Sequence, residues 1–279
     1  MRQATIAKAA SVSGLGVHTG GITTVTFHPA PAGAGIHFRR VDVPRSPEIA
    51  AHVARVVDTQ RSTTLGIGAV TVRTVEHVLA TLQCLGLDNV LVEMSGPETP
   101  LVDGSGVPYV EALIGAGRVE QEGESAVLAL ERPIAVEGEG MTLCAIPAAE
   151  YRISYIMNYD HPVLGTQFKS VAVNRETYIN EIAPARTFCL YREVEQLMDR
   201  GLIRGGSLDN AVVVTDEAVL SKEGLRFENE FVRHKIIDLL GDLSLIGRRL
   251  QAHVISIRSG HANNVQFARA ICAAHGLAT

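Results

Sequence analysis

Residues 233–242, RHKIIDLLGD, carry the strongest pattern in the chain. Successive residues of an α-helix turn by about 100°, so His234, Asp238 and Asp242 lie on one polar stripe. Aliphatic side chains lie roughly opposite, namely Ile236, Leu239, Leu240 and Leu243. We therefore predict a helix over 230–245 that packs by its aliphatic stripe and presents histidine and aspartate on another side.

This helix and a second one each offer a candidate metal ligand. His234 and Asp238 have the i, i+4 spacing at which two side chains on a helix reach one ion. Residues 74–77, TVEH, place Glu76 beside His77 where the second predicted helix begins. Read separately, each pattern favours an ordinary structure, a solvated helix face or a first-turn glutamate stabilised by the helix dipole.

Two further stretches add polar groups that suit catalysis. His261 follows Ser259 and Gly260 between a predicted strand and a predicted helix, where functional side chains often lie. Thr187, in the stretch ARTF, could donate a hydrogen bond to a developing oxyanion. Taken alone, His261 is more typical of a helix cap or surface group, and Thr187 of a plain strand residue.

Taken together, these stretches supply a complete set of groups for metal-assisted hydrolysis. Two histidines and one aspartate hold a metal and leave one position for water, as catalytic zinc sites do. A free glutamate can take a proton from that water, and a histidine near an aspartate can protonate a leaving amine. Each role is filled once, which favours an enzyme over the separate ordinary readings.

The order of patterns along the chain predicts an α+β fold. The predicted strands are 23–28, 70–72, 90–93, 126–130, 142–146, 152–157, 168–173, 211–215 and 253–258. The predicted helices are 75–85, 108 to 115 or 117, 175–182, 191–200, 230–245 and 262–274. The polar stretch 118–126 separates two halves with a similar order of elements, so we expect domains at 1–122 and 123–279.

Composition limits the class of protein and its partners. The 279 residues have 46% hydrophobic side chains, 5% aromatic side chains and no Trp, which predicts an aliphatic core. A net charge of -5 without a Lys/Arg cluster argues against nucleic acid as a partner. The four cysteines form no C-x-x-C pair, so a thiolate zinc site is not expected and we interpret them as reduced thiols.

The apolar runs are short throughout the chain. Residues 1–16 lack the continuous apolar core of a signal peptide. No run approaches the ~18 to 20 apolar residues needed to span a bilayer. We therefore expect a cytoplasmic protein that does not span the membrane.

The quoted motifs, with several others in the same order, resemble those of one family over nearly the whole chain. The matching stretches are GLGVHTG (14–20), TVEH (74–77), DGS (103–105), ARTF (185–188), GGS (205–207), LRFENE (225–230), VRHK through GD (232–242) and SGH (259–261). On these motifs the chain resembles the LpxC family, the UDP-3-O-acyl-N-acetylglucosamine deacetylases of lipid A biosynthesis. The resemblance implies two similar domains, each a helix layer packed on a β-sheet, with the active site between them.

The resemblance also implies roles for individual residues. It implies Zn²⁺ held by His77, His234 and Asp238, with Glu76 as general base. His261 would protonate the leaving amine and Asp242 would pair with it. Thr187 would stabilise the oxyanion together with zinc, and Lys235 would add positive charge nearby.

The substrate implied by the resemblance is an acylated UDP-sugar, and we expect the protein to be a monomer. Phe188, Glu193 and Arg258 would lie along the nucleotide-sugar site. An insert at about 190–213 would shape an apolar passage for the acyl chain, lined by Met198, Leu202 and Ile203. Arg258 departs from the lysine that the family often has before Ser-Gly-His, and a guanidinium binds phosphate in a different geometry.

Two other functions fit the same residues. One is a different zinc amidohydrolase, either a peptidase or another sugar deacetylase, although the chain has no H-E-x-x-H helix of the common peptidases. The other is a non-catalytic sugar-nucleotide binder with a structural metal. A closed site with four protein ligands would favour the binder, but only three ligands are evident in the sequence.

Overall fold

The computed structural model describes the whole chain, residues 1–279. The strands are β1 (Arg2–Ile6), β2 (Ala10–Leu15), β3 (Ile22–Pro29), β4 (Ile36–Arg40), β5 (Glu48–Ala50), β6 (Val56–Asp58), β7 (Thr64–Ile67), β8 (Val70–Val72), β9 (Val90–Met94), β10 (Arg118–Glu124), β11 (Val127–Ala129), β12 (Ile134–Gly138), β13 (Met141–Pro147), β14 (Arg152–Asn158), β15 (Thr166–Ala172), β16 (Phe188–Leu190), β17 (Val212–Val214), β18 (Val219–Leu220) and β19 (Arg249–Ile257). The helices are α1 (Glu76–Cys84), α2 (Val107–Ala116), α3 (Arg175–Thr177), α4 (Tyr191–Asp199), α5 (Glu230–Ser244) and α6 (His261–Ala274), with a 3₁₀ turn at Val53–Arg55 and a π-helical turn at Tyr178–Ile182. The fold is α+β, as the sequence predicts.

A five-stranded sheet in the first half of the chain has the order β2-β3-β9-β4-β5. Its strands pair antiparallel except β4 and β9, which run parallel. Along β3, Val25 and Phe27 are fully buried while Thr24 and Thr26 between them are partly exposed. This alternation follows from the two-residue period of a strand and buries one face of the sheet.

The larger sheet is built in the second half of the chain. Its order is β12-β13-β19-β14-β15, and β11 also pairs with β19. β19 pairs antiparallel with β13 and parallel with β14, so the last strand in sequence lies inside the sheet. Its inward residues Leu250, Ala252 and Val254 are buried against the core.

The helices connect the two sets of strands. α5 packs against β14 and β15, α6 against β12 and β13, and α1 against α5. The α1–α5 contact is close at Gly241, because a Cβ there would stand 2.2 Å from the carbonyl oxygen of Glu76. A single hydrophobic cluster of 57 buried residues includes side chains from both halves of the chain.

Three features differ from the sequence predictions. Residues 118–124, which look like a polar separator, form β10 and pair antiparallel with β1. Several short strands were not predicted, namely β1, β2, β4, β5, β6, β7, β12, β16 and β18. Both stripes of α5 are buried, so His234 and Asp238 face the protein interior and not solvent.

None of the helices is both long and apolar enough to cross a bilayer.

Candidate metal centre

A cavity of about 700 Å³ lies beside the N-terminal ends of α1 and α6 and against residues 234–238 of α5. Its walls come from both halves of the chain, between Val17 and Leu101 and between Tyr159 and Asn263. The sequence-predicted residues that line it are Glu76, His77, Thr187, Phe188, Met198, Ile203, His234, Lys235, Asp238 and His261. Motifs far apart in the chain therefore meet at one cavity.

The three predicted metal ligands converge in this cavity. One potential ligand atom each from His77, His234 and Asp238 lies within 4.8 Å of the other two. All three residues are buried, with only 3–4% of their surface exposed. His234 Nε2 lies 3.5 Å from Asp238 Oδ1, and the two imidazole rings have centroids 5.0 Å apart.

The two imidazoles have the hydrogen bonding and protonation state that a metal ligand needs. His234 Nδ1–H donates to the carbonyl oxygen of Ala185 at 3.1 Å, which leaves the lone pair on Nε2. His77 Nδ1 is buried and has no partner in the protein. Burial lowers the pKa of His77 to about 3 and also lowers the pKa of His234, so both rings are neutral near pH 7.

Asp238 is the anionic member of the set. Burial opposes its charge, but the neighbouring positive charge, foremost that of Lys235, outweighs burial and holds the pKa of Asp238 well below its usual range. Lys235 Nζ donates to Asp238 Oδ2 at 2.9 Å. Two neutral imidazoles and a carboxylate form a donor set that suits Zn²⁺.

Glu76 lies beside this set as the first residue of α1. Its Oε2 accepts a hydrogen bond from the backbone N–H of Thr63 at 3.0 Å. Burial raises the pKa of Glu76 to about 8, although the charge of His261 opposes this shift. In its ionised form a carboxylate with a raised pKa is a stronger base than an ordinary glutamate.

His261 is the first residue of α6 and is paired with Asp242. Its Nδ1–H donates to Asp242 Oδ2 at 2.9 Å. Burial disfavours the charged ring, but the neighbouring carboxylates, Asp242 foremost, outweigh burial and raise the pKa of His261 to about 9. The ring is therefore protonated at neutral pH and can act as a proton donor.

Three predicted substrate residues have different surroundings from those expected. Leu202 does not line the cavity but is buried in the protein. It follows Gly201, which has a left-handed φ of 73°, and its N–H donates to the Leu197 carbonyl oxygen at 2.9 Å in a helix-ending motif. Glu193 accepts a hydrogen bond from Arg61 at 2.7 Å, and it is Arg61 that lines the cavity. Arg258 lines a separate cavity of about 250 Å³ together with Lys235.

Some residues at the site carry no signal in the sequence analysis beyond the family motifs. His18 lines the cavity, is 5% exposed, and has an Nδ1 atom without a partner in the protein. The buried carboxylate of Glu98 accepts from the backbone N–H groups of His18 and Thr19 and from the hydroxyl of Thr74. A lone histidine in a glycine-rich loop has no spacing that marks it, so only the tertiary structure reveals its position.

Comparison with known proteins assigns the chain that carries this site to a family. The model of the family described as UDP-3-O-acyl N-acetylglycosamine deacetylase, LpxC, matches residues 3–273. The chain belongs to the LpxC family. LpxC enzymes are zinc-dependent amidohydrolases, and the buried group of His77, His234 and Asp238 fits that metal.

Similar proteins occur in several bacteria. The UDP-3-O-acyl-N-acetylglucosamine deacetylase of Geobacter sp. (strain M21) is 45% identical over 263 residues, covering 94% of this chain and 86% of the relative. The deacetylase of Chlamydia pneumoniae is 43% identical over 271 residues and covers 96% of both chains. That of Myxococcus xanthus (strain DK1622) is 42% identical over 269 residues, covering 96% of this chain and 86% of the relative.

Proposed function

We propose that this chain hydrolyses the N-acetyl group of UDP-3-O-[(R)-3-hydroxyacyl]-N-acetylglucosamine, releasing acetate and the free amine in the committed step of lipid A biosynthesis. The observation that carries this proposal is the convergence of His77, His234 and Asp238 within 4.8 Å of one another. Glu76 and His261 line the same cavity. Membership of the LpxC family supplies the substrate class.

In this proposal His77, His234 and Asp238 hold Zn²⁺. The bound ion would supply Lewis acidity, which polarises a carbonyl and makes water more acidic. The hydrogen bond from His234 to Ala185 fixes the tautomer and orientation of that ring. Lys235 reduces the desolvation cost of the Asp238 carboxylate through their 2.9 Å contact.

Glu76 is the proposed general base. It removes a proton from the attacking water, and its raised pKa makes the resulting acid stable enough to persist. Because Oε2 accepts a hydrogen bond from the Thr63 N–H, we assign proton transfer to the other oxygen, Oε1.

His261 is the proposed general acid. An amine is a poor leaving group unless it is protonated, so a separate donor is needed on the nitrogen side of the bond. Nδ1 is engaged by Asp242, which leaves Nε2–H of the charged ring to deliver the proton. Thr187 would donate its hydroxyl hydrogen to the developing oxyanion, and Lys235 would add positive charge there.

The remaining walls suggest how the substrate lies. Met198 and Ile203 in the 190–213 insert offer apolar surface for the acyl chain. Phe188 lies with its ring centroid 5.9 Å from Lys235 Nζ and would contact the sugar nucleotide. Arg258 would meet the diphosphate from the adjoining cavity, and Glu193 would act beside Arg61.

The same proposal covers the setting of the enzyme. We propose a cytoplasmic monomer with domains at 1–122 and 123–279 and the active site between them. Supporting this, the cavity draws its walls from both halves of the chain. The net charge of -5 gives no support for nucleic acid as a partner.

The direct test combines zinc content with acetate release from the acylated UDP-sugar. Wild type should bind one zinc and release acetate, while Glu76→Ala should keep the zinc and lose turnover. A panel of acetylated peptides run beside the sugar separates this activity from another zinc amidohydrolase. Turnover of the peptides but not of the UDP-sugar would reject the proposed substrate, and zinc binding without any turnover would favour the non-catalytic binder.

A further inference from the structure

Thr63 is a fully buried residue with two polar groups that bind parts of the proposed catalytic machinery and a third that binds the N-cap of α1. Its N–H donates to Glu76 Oε2 at 3.0 Å, and its carbonyl oxygen accepts from the N–H of Val75, which caps α1, at 3.3 Å. Its hydroxyl donates to Asp242 Oδ1 at 2.5 Å. One residue therefore contacts both the proposed base and the carboxylate that orients the proposed acid.

The direction of the hydroxyl bond is fixed by chemistry. An ionised carboxylate only accepts hydrogen bonds, so the Thr63 hydroxyl must be the donor to Asp242. The other oxygen, Oδ2, accepts from His261 Nδ1 and from Asn264 Nδ2, each at 2.9 Å. The Asn264 amide is itself oriented, because its Oδ1 accepts from Ser259 at 2.7 Å.

Asp242 is consequently held on both oxygens while it binds His261. The Thr63 hydroxyl also lies 3.4 Å from His261 Nδ1, so it stands beside the Asp242–His261 bond itself. Removing the hydroxyl would leave Oδ1 of a fully buried carboxylate without its donor. The carboxylate would then rotate or recruit another donor, and the ring of His261 would follow it.

We infer that Thr63 is a positioning residue. It fixes the Glu76 carboxylate and the His261 imidazole relative to each other, on the two sides of the reacting amide. This inference rests on the proposed roles of Glu76 and His261. The backbone N–H of Thr63 orients the base, Glu76, by a direct hydrogen bond. Its hydroxyl orients the acid, His261, through Asp242. The proton-accepting and proton-donating groups are thereby aligned by a single residue immediately before β7.

The chain offers a matched control in the next residue. Thr64 is also buried, but its hydroxyl has no hydrogen-bond partner. Thr63→Val and Thr64→Val make the same change of a hydroxyl to a methyl at adjacent buried positions. Thr63→Ser keeps the hydroxyl and removes only the methyl group. Thr63→Ala replaces the valine variant if valine does not give folded, zinc-loaded protein.

Four quantities are measured on the zinc-loaded variants: kcat and KM for acetate release, zinc content, and the low-field proton resonance of His261 Nδ1–H. Thr63→Val should lower kcat by about 10–100-fold, with KM within about twofold and zinc content unchanged. It should also shift the His261 resonance. Thr63→Ser should stay within about threefold of wild type in kcat, since its donor is retained, and Thr64→Val should match wild type in kcat and resonance.

Two outcomes would overturn the inference. One is a Thr63→Val enzyme with the kcat and the resonance of Thr64→Val. The other is a Thr63→Ser enzyme as impaired as Thr63→Val, which would assign the effect to the methyl group and not to the hydroxyl. Glu76→Gln and His261→Gln are run in parallel: full turnover in either variant refutes the proposed roles, whereas their inactivity beside a normal Thr63→Val refutes only the role of Thr63.

Discussion

Two aspartates one helical turn apart on α5 have different electrostatic partners. Asp238 is neutralised by Lys235 at 2.9 Å and belongs to the proposed metal set. Asp242 is bound by His261 at 2.9 Å and stabilises its positive charge. The two aspartates thus have different roles because their neighbouring cations differ. Asp238 remains ionised beside Lys235 and can bind a metal, whereas Asp242 stabilises the protonated imidazole of His261.

The two site histidines on α5 and α6 should respond differently to truncation. His261→Ala should lower turnover by roughly 10²–10⁴-fold while zinc stays bound, because it removes a proton donor and no ligand. His234→Ala should lose zinc along with activity. Metal analysis and acetate release on both purified variants test this division. Equal loss of zinc in the two variants would contradict it.

The pairing of His261 with Asp242 predicts the alkaline limit of activity. His261 must be protonated to act as the acid, so kcat/KM should fall as pH rises through about 9, the raised pKa of this ring. Asp242→Asn removes the carboxylate that raises this pKa, so the fall should move to lower pH. The pH profiles of both enzymes test the sign. An alkaline limit that is unmoved in Asp242→Asn would exclude His261 as its source.

Sequence patterns indicate most of the reacting groups but few of the residues that position them. His77, His234 and Asp238 were proposed from residue type, spacing and family motifs, and they lie together in the structure. Thr63 and Glu98 had no such signal, because a threonine and a glutamate are common residues. Their importance comes from burial and hydrogen bonding across about 180 and 80 residues of sequence, which no local pattern records.

At the scale of elements, the crossing of α1 and α5 determines how the site is assembled. Glycine is unfavourable inside a helix, yet Gly241 lies within the last turn of α5, the helix with the strongest sequence pattern of the chain. The close approach explains it, since a side chain there would overlap the backbone of Glu76. The absence of a side chain lets the helix that carries Glu76 and His77 lie directly against the helix that carries His234.

A substitution at this crossing should separate helix propensity from packing. Gly241→Ala improves helix propensity but places a methyl group 2.2 Å from the Glu76 carbonyl oxygen. We expect the clash to dominate, lowering the free energy of unfolding by about 1–3 kcal/mol and reducing turnover by displacing Glu76. Denaturant unfolding and acetate release measure the two effects.

The control for this substitution is Gly115→Ala in α2. No atom lies within 4 Å of a Cβ at that position. It should raise the free energy of unfolding by about 0.5–1 kcal/mol. If Gly241→Ala were as stable and active as Gly115→Ala, the close contact between α1 and α5 would be wrong.

Secondary structure was predictable in proportion to the length and regularity of each element. The helix predicted at 230–245 is α5 at Glu230–Ser244, because its aliphatic period extends over four turns. The strand β10 was missed because its seven residues, RVEQEGE, are polar and lie mostly exposed. Its pairing with β1 is a long-range interaction, and a strand held by backbone hydrogen bonds to a distant partner needs no apolar alternation of its own.

At the scale of the whole molecule, both halves of the chain share one hydrophobic core. The cluster of 57 buried residues runs from Ile6 to Cys272 and includes α1 and α5. β1 and β10 add a backbone connection between the start of the chain and its middle. The halves are therefore joined by packing as well as by the polypeptide.

This shared core predicts one cooperative unfolding transition. Calorimetry of the full chain should give a single peak with equal calorimetric and van't Hoff enthalpies, since neither half can lose its packing without exposing the other. Fragments 1–122 and 123–279 expressed alone should show weak or no cooperative unfolding. Two separated peaks in the full chain would show instead that the halves unfold independently.

Zinc should contribute to the stability of the whole chain. Because the three ligands lie close together only in the folded protein, an ion bound to them stabilises the native state by about 2.7 kcal/mol at 100 times its Kd. Removing zinc with a chelator should therefore lower Tm, and adding it back should restore Tm. His234→Ala provides the control, since its Tm should not respond to the chelator.

The position of β19 within its sheet has a consequence for protein synthesis. This strand is made after every other strand, yet it lies between β13 and β14. Until residues 249–257 leave the ribosome, those two strands have unpaired edges, and such edges readily associate with other chains. A chain that lacks residues 249–257 should therefore associate with other chains through the open edges of β13 and β14.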